Sequence, residues 1–204
     1  MKLLYVHDPM CSWCWGYAPT WDKLKQSLNG IIDIEYRVGG LASDSDEPMP
    51  EQMQLMLQST WQRIADYLGT EFNFKFWQNC QPRRSTYPAC RAALLARKEN
   101  KEVQMIAAIQ QAYYLQAKNP SDVSVLAQLA QELGLGTQAE IESKLLSDEL
   151  NRELMQELSM LQALPVQGFP SLILLHNERA IPIAINYEDP LITAEQIKQL
   201  LANG

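Results

Sequence analysis

The sequence predicts an α/β protein in which a four-stranded mixed sheet is interrupted by a large all-helical insertion. Three observations predict it. The chain opens with an apolar stretch, a helical pattern and an alternating stretch, in the order strand, helix, strand. It closes with two further strand-like stretches and a short helix. From Leu41 to about Ala163 only helical periodicity is found.

The first strand is predicted at Lys2 to His7, around Leu3-Leu4-Tyr5-Val6. Asp8-Pro9-Met10 is a loop, because Pro9 cannot continue a ladder and restricts Asp8 to extended geometry. The helix is expected from Trp15 to Leu28, with Ala18, Trp21 and Leu24 on one face and Pro19 as a kink. Asn29-Gly30 ends it. Ile32 to Val38 then alternates apolar and charged residues, the signature of a half-exposed strand, and Gly39-Gly40 ends it. Strand, helix, strand is a βαβ unit, so these two strands are expected to be parallel.

Within the insertion, helices are predicted at Glu51 to Leu68, Glu71 to Trp77, Tyr87 to Asn100, Glu102 to Ala117, Val123 to Leu133, Gln138 to Leu146 and Glu149 to Leu161. Thr137 and Glu140 form a capping box, and Ser121 and Asp148 are read as caps. Trp61, Phe72, Phe74, Phe76 and Trp77 are expected in the insertion core, and Arg83-Arg84 on a solvated loop. Strand character returns at Ser171 to His176. Asn177-Glu178 is a turn candidate, and Ala180 to Ile185 a second strand, placed at the sheet edge by Pro182. Thr193 and Gln196 are read as the cap of a last helix, Ala194 to Leu201. The predicted division is 1–41 with 164–204 as a discontinuous domain and 42–163 as the helical insertion.

Composition sets the class. The 204 residues are 47% apolar and 20% charged, enough for one core with an insertion. A net charge of −7 argues against nucleic acid and against an anionic membrane surface as partners. No apolar run approaches the roughly 20 residues of a membrane helix. The four or five apolar residues after Met1-Lys2 are too few for a secretory signal. The expected location is therefore the cytoplasm, where four cysteines do not make two structural disulfides.

Chemistry is carried by Cys11-Ser12-Trp13-Cys14, at the junction of the first strand and helix. Two residues between cysteines let the sulfurs meet across one helical turn. Unpaired N–H groups and the positive end of the dipole favour a thiolate at the helix start. Cys11 is the predicted nucleophile, and Cys14, one turn in, the thiol that resolves a mixed disulfide. A zinc site would need Cys80 and Cys90, whose nine-residue gap fits no recognised finger, so no metal is expected. Cys80 and Cys90 themselves are read as structural thiols.

Phe169-Pro170 is the second feature. Placed before the third strand, opposite the dithiol, a cis proline there would let Phe169 offer its backbone groups to an extended peptide. Trp13 and Met10 are expected to be exposed around the dithiol as a docking surface. His7 and Asp8 lie close enough to exchange protons, but loop bonding by Asp8 and a strand end at His7 are the favoured readings. His176 is given no role.

Element order and the position of the CxxC together give the thioredoxin plan. Asp8 to Gly16, Gly39-Gly40-Leu41, Tyr87-Pro88-Ala89-Cys90-Arg91-Ala92 and Gly168-Phe169-Pro170 resemble the DsbA-like thioredoxin family, in particular its FrnE-like, predicted protein-disulfide isomerase branch. The resemblance implies a thioredoxin fold with a helical insertion and thiol–disulfide oxidoreductase chemistry on protein or peptide thiols. By position, Cys11 resembles the nucleophile, Cys14 the resolving thiol and Pro170 the cis proline. No cofactor is expected beyond the Cys11–Cys14 couple, with glutathione a candidate co-substrate. The signal and extra leading strand of secreted members are not seen. Two other readings compete: a glutathione-dependent transferase or isomerase of the kappa or 2-hydroxychromene-2-carboxylate isomerase type, whose members typically carry serine at the first position, and a non-catalytic client-binding module.

Overall fold

The computed structural model describes residues 1–202. Four strands, β1 (Lys2–His7), β2 (Asp33–Val38), β3 (Ser171–His176) and β4 (Arg179–Ile183), form one sheet in the order β2-β1-β3-β4. β1 and β2 are parallel across the helix α1 (Ser12–Ser27); β1–β3 and β3–β4 are antiparallel. Pro182 thus lies on an edge strand, where its missing N–H interrupts no ladder. Asn177 and Glu178 both have positive φ (47° and 59°), the type I′ geometry that suits a two-residue hairpin.

The side chains of β1 alternate. Leu3 and Tyr5 pack with Leu24 of α1 and with Ile197 of the last helix, α9 (Pro190–Ala202). Leu4 and Val6 pack on the opposite face with Ile173 and Leu161. Between β2 and β3 come α2 (Glu51–Leu68), α3 (Phe76–Asn79), α4 (Tyr87–Arg97), α5 (Glu102–Tyr114), α6 (Val123–Glu132), α7 (Gln138–Leu145) and α8 (Asp148–Leu161). Their core holds Trp61, Phe76, Ile109 and Tyr114, and it continues into the sheet end through Met10 and Val38. The Val38 N–H donates to the buried Glu157 carboxylate of α8 (2.6 Å), which also pairs with Arg97 of α4 (2.5 Å). A strand edge, two helices and a buried charge pair are thereby joined.

Several local expectations are corrected. The short third helix is Phe76–Asn79, because Asn73 is held by the Tyr114 and Leu115 carbonyls before it begins. α8 is capped by Ser147, whose hydroxyl accepts the Leu150 N–H, and not by Asp148. Asp122 is the N-cap of α6; the Ser121 hydroxyl instead donates to the Ser85 carbonyl (2.8 Å). α9 begins at Pro190, so Thr193 lies inside it and its hydroxyl accepts the Asn186 N–H. Helix starts with several polar candidates are settled by which one the loop can bend back, and that is a tertiary matter. Phe74 is exposed rather than core, and Arg83 is held by Asp122 (2.6 Å) rather than free in solvent.

Candidate functional site

Register builds the site. His7, the last residue of β1, pairs with Val38 at the end of β2, while Val6 pairs with Ser171 at the start of β3. The segments that follow β1 and β2 and the one that precedes β3 therefore meet at one end of the sheet. They carry Asp8 to Cys14, Gly39-Gly40-Leu41 and Gly168-Phe169-Pro170.

Cys11 is the N-cap of α1, in extended geometry (φ −79°, ψ 117°), and makes no capping bond with its side chain. Its carbonyl accepts the Trp15 N–H at 3.1 Å, so the N–H groups of Ser12 to Cys14 have no partner in the helix ladder and concentrate positive potential beside its sulfur. The Cys11 thiol reaches the Phe169 carbonyl at 3.4 Å, and the Phe169–Pro170 peptide is cis. Cys11 keeps 7% of its surface exposed; Cys14 has none. Burial, and then its hydrogen bond and charge interaction with Cys11, push the Cys14 thiol well above its ordinary range. Cys11 is thus the slightly exposed member of the pair and Cys14 the enclosed one.

Asp8 fixes the dithiol loop. It is fully buried. Its carboxylate accepts the Met10 N–H (2.8 Å), the Leu41 N–H (2.7 Å), the Thr86 hydroxyl (2.7 Å) and the Cys90 thiol (3.6 Å). Its carbonyl accepts the Cys11 N–H (3.0 Å). Burial raises its carboxyl above the ordinary carboxylate range, and these bonds offset part of the rise. The sequence reading treated Asp8 as a local loop residue. Three of its partners come from other segments, and only the resemblance blocks around Gly39 and Cys90 hinted at them. His7 is a different case. Its ring stacks on Tyr5 and meets Tyr36 edge-on. Burial, then the Arg97 charge, lowers it to about 3, so it stays neutral and cannot shuttle protons near neutrality.

The docking surface differs from expectation. Met10 is buried in the helical core, its carbonyl held by the Tyr114 hydroxyl at 2.8 Å, and it presents nothing to a partner. Apolar bulk following a proline loop finds the core when a helix from the insertion covers it. Trp13 is half-buried, edge-on to Tyr187 (5.2 Å between centroids) with the Arg63 guanidinium over its ring (5.3 Å). Phe169 is half-buried and Pro170 buried. Tyr187 was missed because it follows the last strand in a polar loop with no motif. Cys90 is wholly buried, and the half-buried Cys80 donates to the Ala117 carbonyl (3.0 Å). Among the described residues no group of three or more His, Cys, Asp or Glu could hold a metal ion, and no helix is long and apolar enough to cross a membrane.

Comparison with known proteins agrees with this architecture. The profile of a DSBA-like thioredoxin domain matches residues 3–189. A Nitrosomonas europaea structure, provisionally described as a protein disulfide isomerase, superposes with a TM-score of 0.84 at 24% identity, over 99% of this chain and 98% of its own. The cytosolic disulfide reductase DsbM from Pseudomonas aeruginosa gives 0.79 at 22% identity over the full length of both chains. A 2-hydroxychromene-2-carboxylate isomerase gives 0.67 at 16% identity, over 99% and 96% of the two chains. At these identities the likeness is one of fold. A search of curated proteins finds no match.

Proposed function

Because the chain belongs to the DSBA-like thioredoxin domain family, we propose that it is a thiol–disulfide oxidoreductase or disulfide isomerase acting on protein thiols through Cys11 and Cys14. The observation that carries this reading is the placement of Cys11. It is the N-cap of α1, slightly exposed, with its sulfur 3.4 Å from the carbonyl that precedes a cis proline, and its partner Cys14 is wholly buried one turn on.

In the forward direction the Cys11 thiolate attacks one sulfur of a substrate disulfide. An S–S bond to Cys11 forms, the substrate S–S bond breaks, and the departing thiolate takes a proton from solvent. Cys14 then loses its proton and attacks the Cys11 sulfur, releasing the second substrate thiol and leaving a Cys11–Cys14 disulfide. The substrate gains two electrons and the dithiol loses two. A low-molecular-weight thiol such as glutathione restores the dithiol by the same exchange in reverse. Related structures of DsbM include one with glutathione, which supports that choice of thiol. The Cys14 proton passes to the departing substrate sulfur, while Asp8 holds the dithiol loop in place through Met10, Leu41, Thr86 and Cys90. Trp13 and Phe169 would line the substrate path, with Pro170 shaping it. The same reading takes residues 42–163 as an inserted cover for the site and the cytoplasm as its place of work, as for the cytosolic DsbM; residues 203 and 204 of the assigned domain lie outside the described residues.

The test is substitution. Cys11→Ser is expected to abolish insulin or peptide disulfide reduction, while Cys14→Ser accumulates a mixed disulfide with the substrate, visible by mass spectrometry. Full activity in Cys11→Ser removes the proposal.

A further inference from the structure

One side chain of the helical insertion touches both flanks of the Cys11–Cys14 motif. Tyr114 is the last residue of α5 and is wholly buried. Its hydroxyl donates to the Met10 carbonyl at 2.8 Å, immediately before Cys11. Its ring stacks on Trp15, immediately after Cys14, with centroids 5.7 Å apart and planes 13° from parallel. The Trp15 indole N–H donates to the Glu71 carbonyl (3.0 Å), and the nearby Asn73 N–H donates to the Tyr114 carbonyl (2.6 Å). The loop after α2, the end of α5 and the two flanks of the motif thus form one closed circuit of contacts.

These contacts act on the sulfurs through the backbone. The Met10–Cys11 peptide has its C=O on the Tyr114 hydroxyl and its N–H on the Asp8 carbonyl (3.0 Å), so its plane cannot turn without breaking a bond. That plane sets the direction in which the Cys11 side chain leaves the backbone. Trp15 continues the helix that carries Cys14. Burial, and then interactions with Tyr113, Cys11 and Cys14, raise the Tyr114 phenol well above its ordinary range, so it keeps its proton and remains a donor.

The two steps of thiol exchange make different demands on this arrangement. Attack by Cys11 on a substrate needs its own sulfur to be reached. Attack by Cys14 on the Cys11–substrate bond is intramolecular, and needs the Cys14 sulfur close to Cys11 and in line with the bond that breaks. Its rate follows how well the two ends of the motif keep that spacing.

We propose that Tyr114 is a positioning residue for the second step: by fixing Met10 relative to Trp15 it holds Cys14 in reach of the Cys11 sulfur and sets the rate at which the mixed disulfide is resolved. The inference rests on the dithiol reading above and deepens it. In that step the Cys14–Cys11 bond forms and the Cys11–substrate bond breaks. The electron pair leaves on the substrate sulfur, which takes the proton given up by Cys14.

The probe is a blocked cysteine peptide presented as its disulfide with 2-nitro-5-thiobenzoate and mixed with excess reduced protein. Release of the coloured thiobenzoate reports the first step. Release of the peptide thiol, followed by acid quench and mass spectrometry, reports the second. Tyr114→Phe keeps the ring and loses the bond to Met10; it is expected to slow the second step about 3- to 10-fold, with the first within about twofold, so the Cys11–peptide disulfide accumulates. Trp15→Phe, which loses the bond to Glu71, is expected to show the same selective slowing. Tyr113→Phe makes the same chemical change one residue away in the same core and is expected to leave both steps within about twofold of wild type. An unchanged second step in Tyr114→Phe overturns the proposal. So does equal slowing of both steps, or a Tyr113→Phe protein slowed as much, since either would mark a merely structural role. Trp15→Phe decides the matter alone if Tyr114→Phe fails to fold. Retained activity in Cys11→Ser would instead strike the dithiol reading, so the two failures are distinguishable.

Discussion

Gly39→Ala puts the positioning of the Phe169 carbonyl to the test. Gly39 follows β2, and its N–H donates to the His7 carbonyl at 2.6 Å, so its backbone cannot retreat. A Cβ at position 39 would lie 2.1 Å from two atoms of the Phe169 ring. Carbon atoms rest about 3.5–4.0 Å apart, so the ring would have to move by about 1.5 Å. The ring belongs to the residue whose carbonyl faces the Cys11 sulfur. Overpacking of this kind costs roughly 1–3 kcal/mol, which at this chain length lowers Tm by roughly 2–12 °C. Displacement by an ångström at a reacting centre costs up to about 100-fold in rate. The expected result is a kcat/KM for peptide disulfide reduction reduced by about 10- to 100-fold, with a modestly lower Tm. In a Phe169→Ala background the same Gly39→Ala change should cost almost nothing, because the clashing ring is gone; the double-mutant cycle measures that coupling. Strict additivity of the two substitutions, or a Gly39→Ala protein with normal kinetics, refutes the argument that Gly39 sets the Phe169 position.

Two further outcomes follow from buried charge. Glu157→Leu removes the acceptor of the Val38 N–H and leaves Arg97 with one carboxylate partner fewer; it should destabilise by about 3 kcal/mol, read as a urea midpoint shift, whereas Glu157→Gln, which keeps an acceptor for Val38, should cost less. An unchanged midpoint in Glu157→Leu would show the pair to be energetically neutral. His7 gives a pH signature, since its ring is lowered from 6.5 to about 3 by burial and then by Arg97. Above pH 6.5 it is neutral in both states. As the pH falls below 6.5 the unfolded chain takes up a proton that the folded chain refuses, so stability is lost at about 1.4 kcal/mol per pH unit. Between pH 7 and pH 5 the wild type should therefore lose about 2 kcal/mol more than His7→Phe, whose ring fits between Tyr5 and Tyr36; parallel stability curves for the two proteins would contradict this.

Much of the fold was legible because it is written locally. Alternation in β1 and β2, 3.6-residue periods in the insertion and the turn at Asn177-Glu178 each depend on neighbours within a few residues. The strand–CxxC–helix junction is also local, which is why the family resemblance could be carried by Asp8 to Gly16. Local signals failed where several residues could play one part, as with Ser147 against Asp148, or where burial depends on a remote element, as with Met10 beneath Tyr114.

The sequence by itself determined the four-stranded α/β plan, the family and the position of the Cys11–Cys14 pair between the first strand and the first helix. Only the tertiary structure decided how they are placed. The Phe169 carbonyl meets Cys11 across 158 residues of chain, and Asp8 gathers Leu41, Thr86 and Cys90 from 33, 78 and 82 residues away. Such contacts are fixed by sheet register and by helices packed over the sheet end, and no periodicity along the chain encodes them.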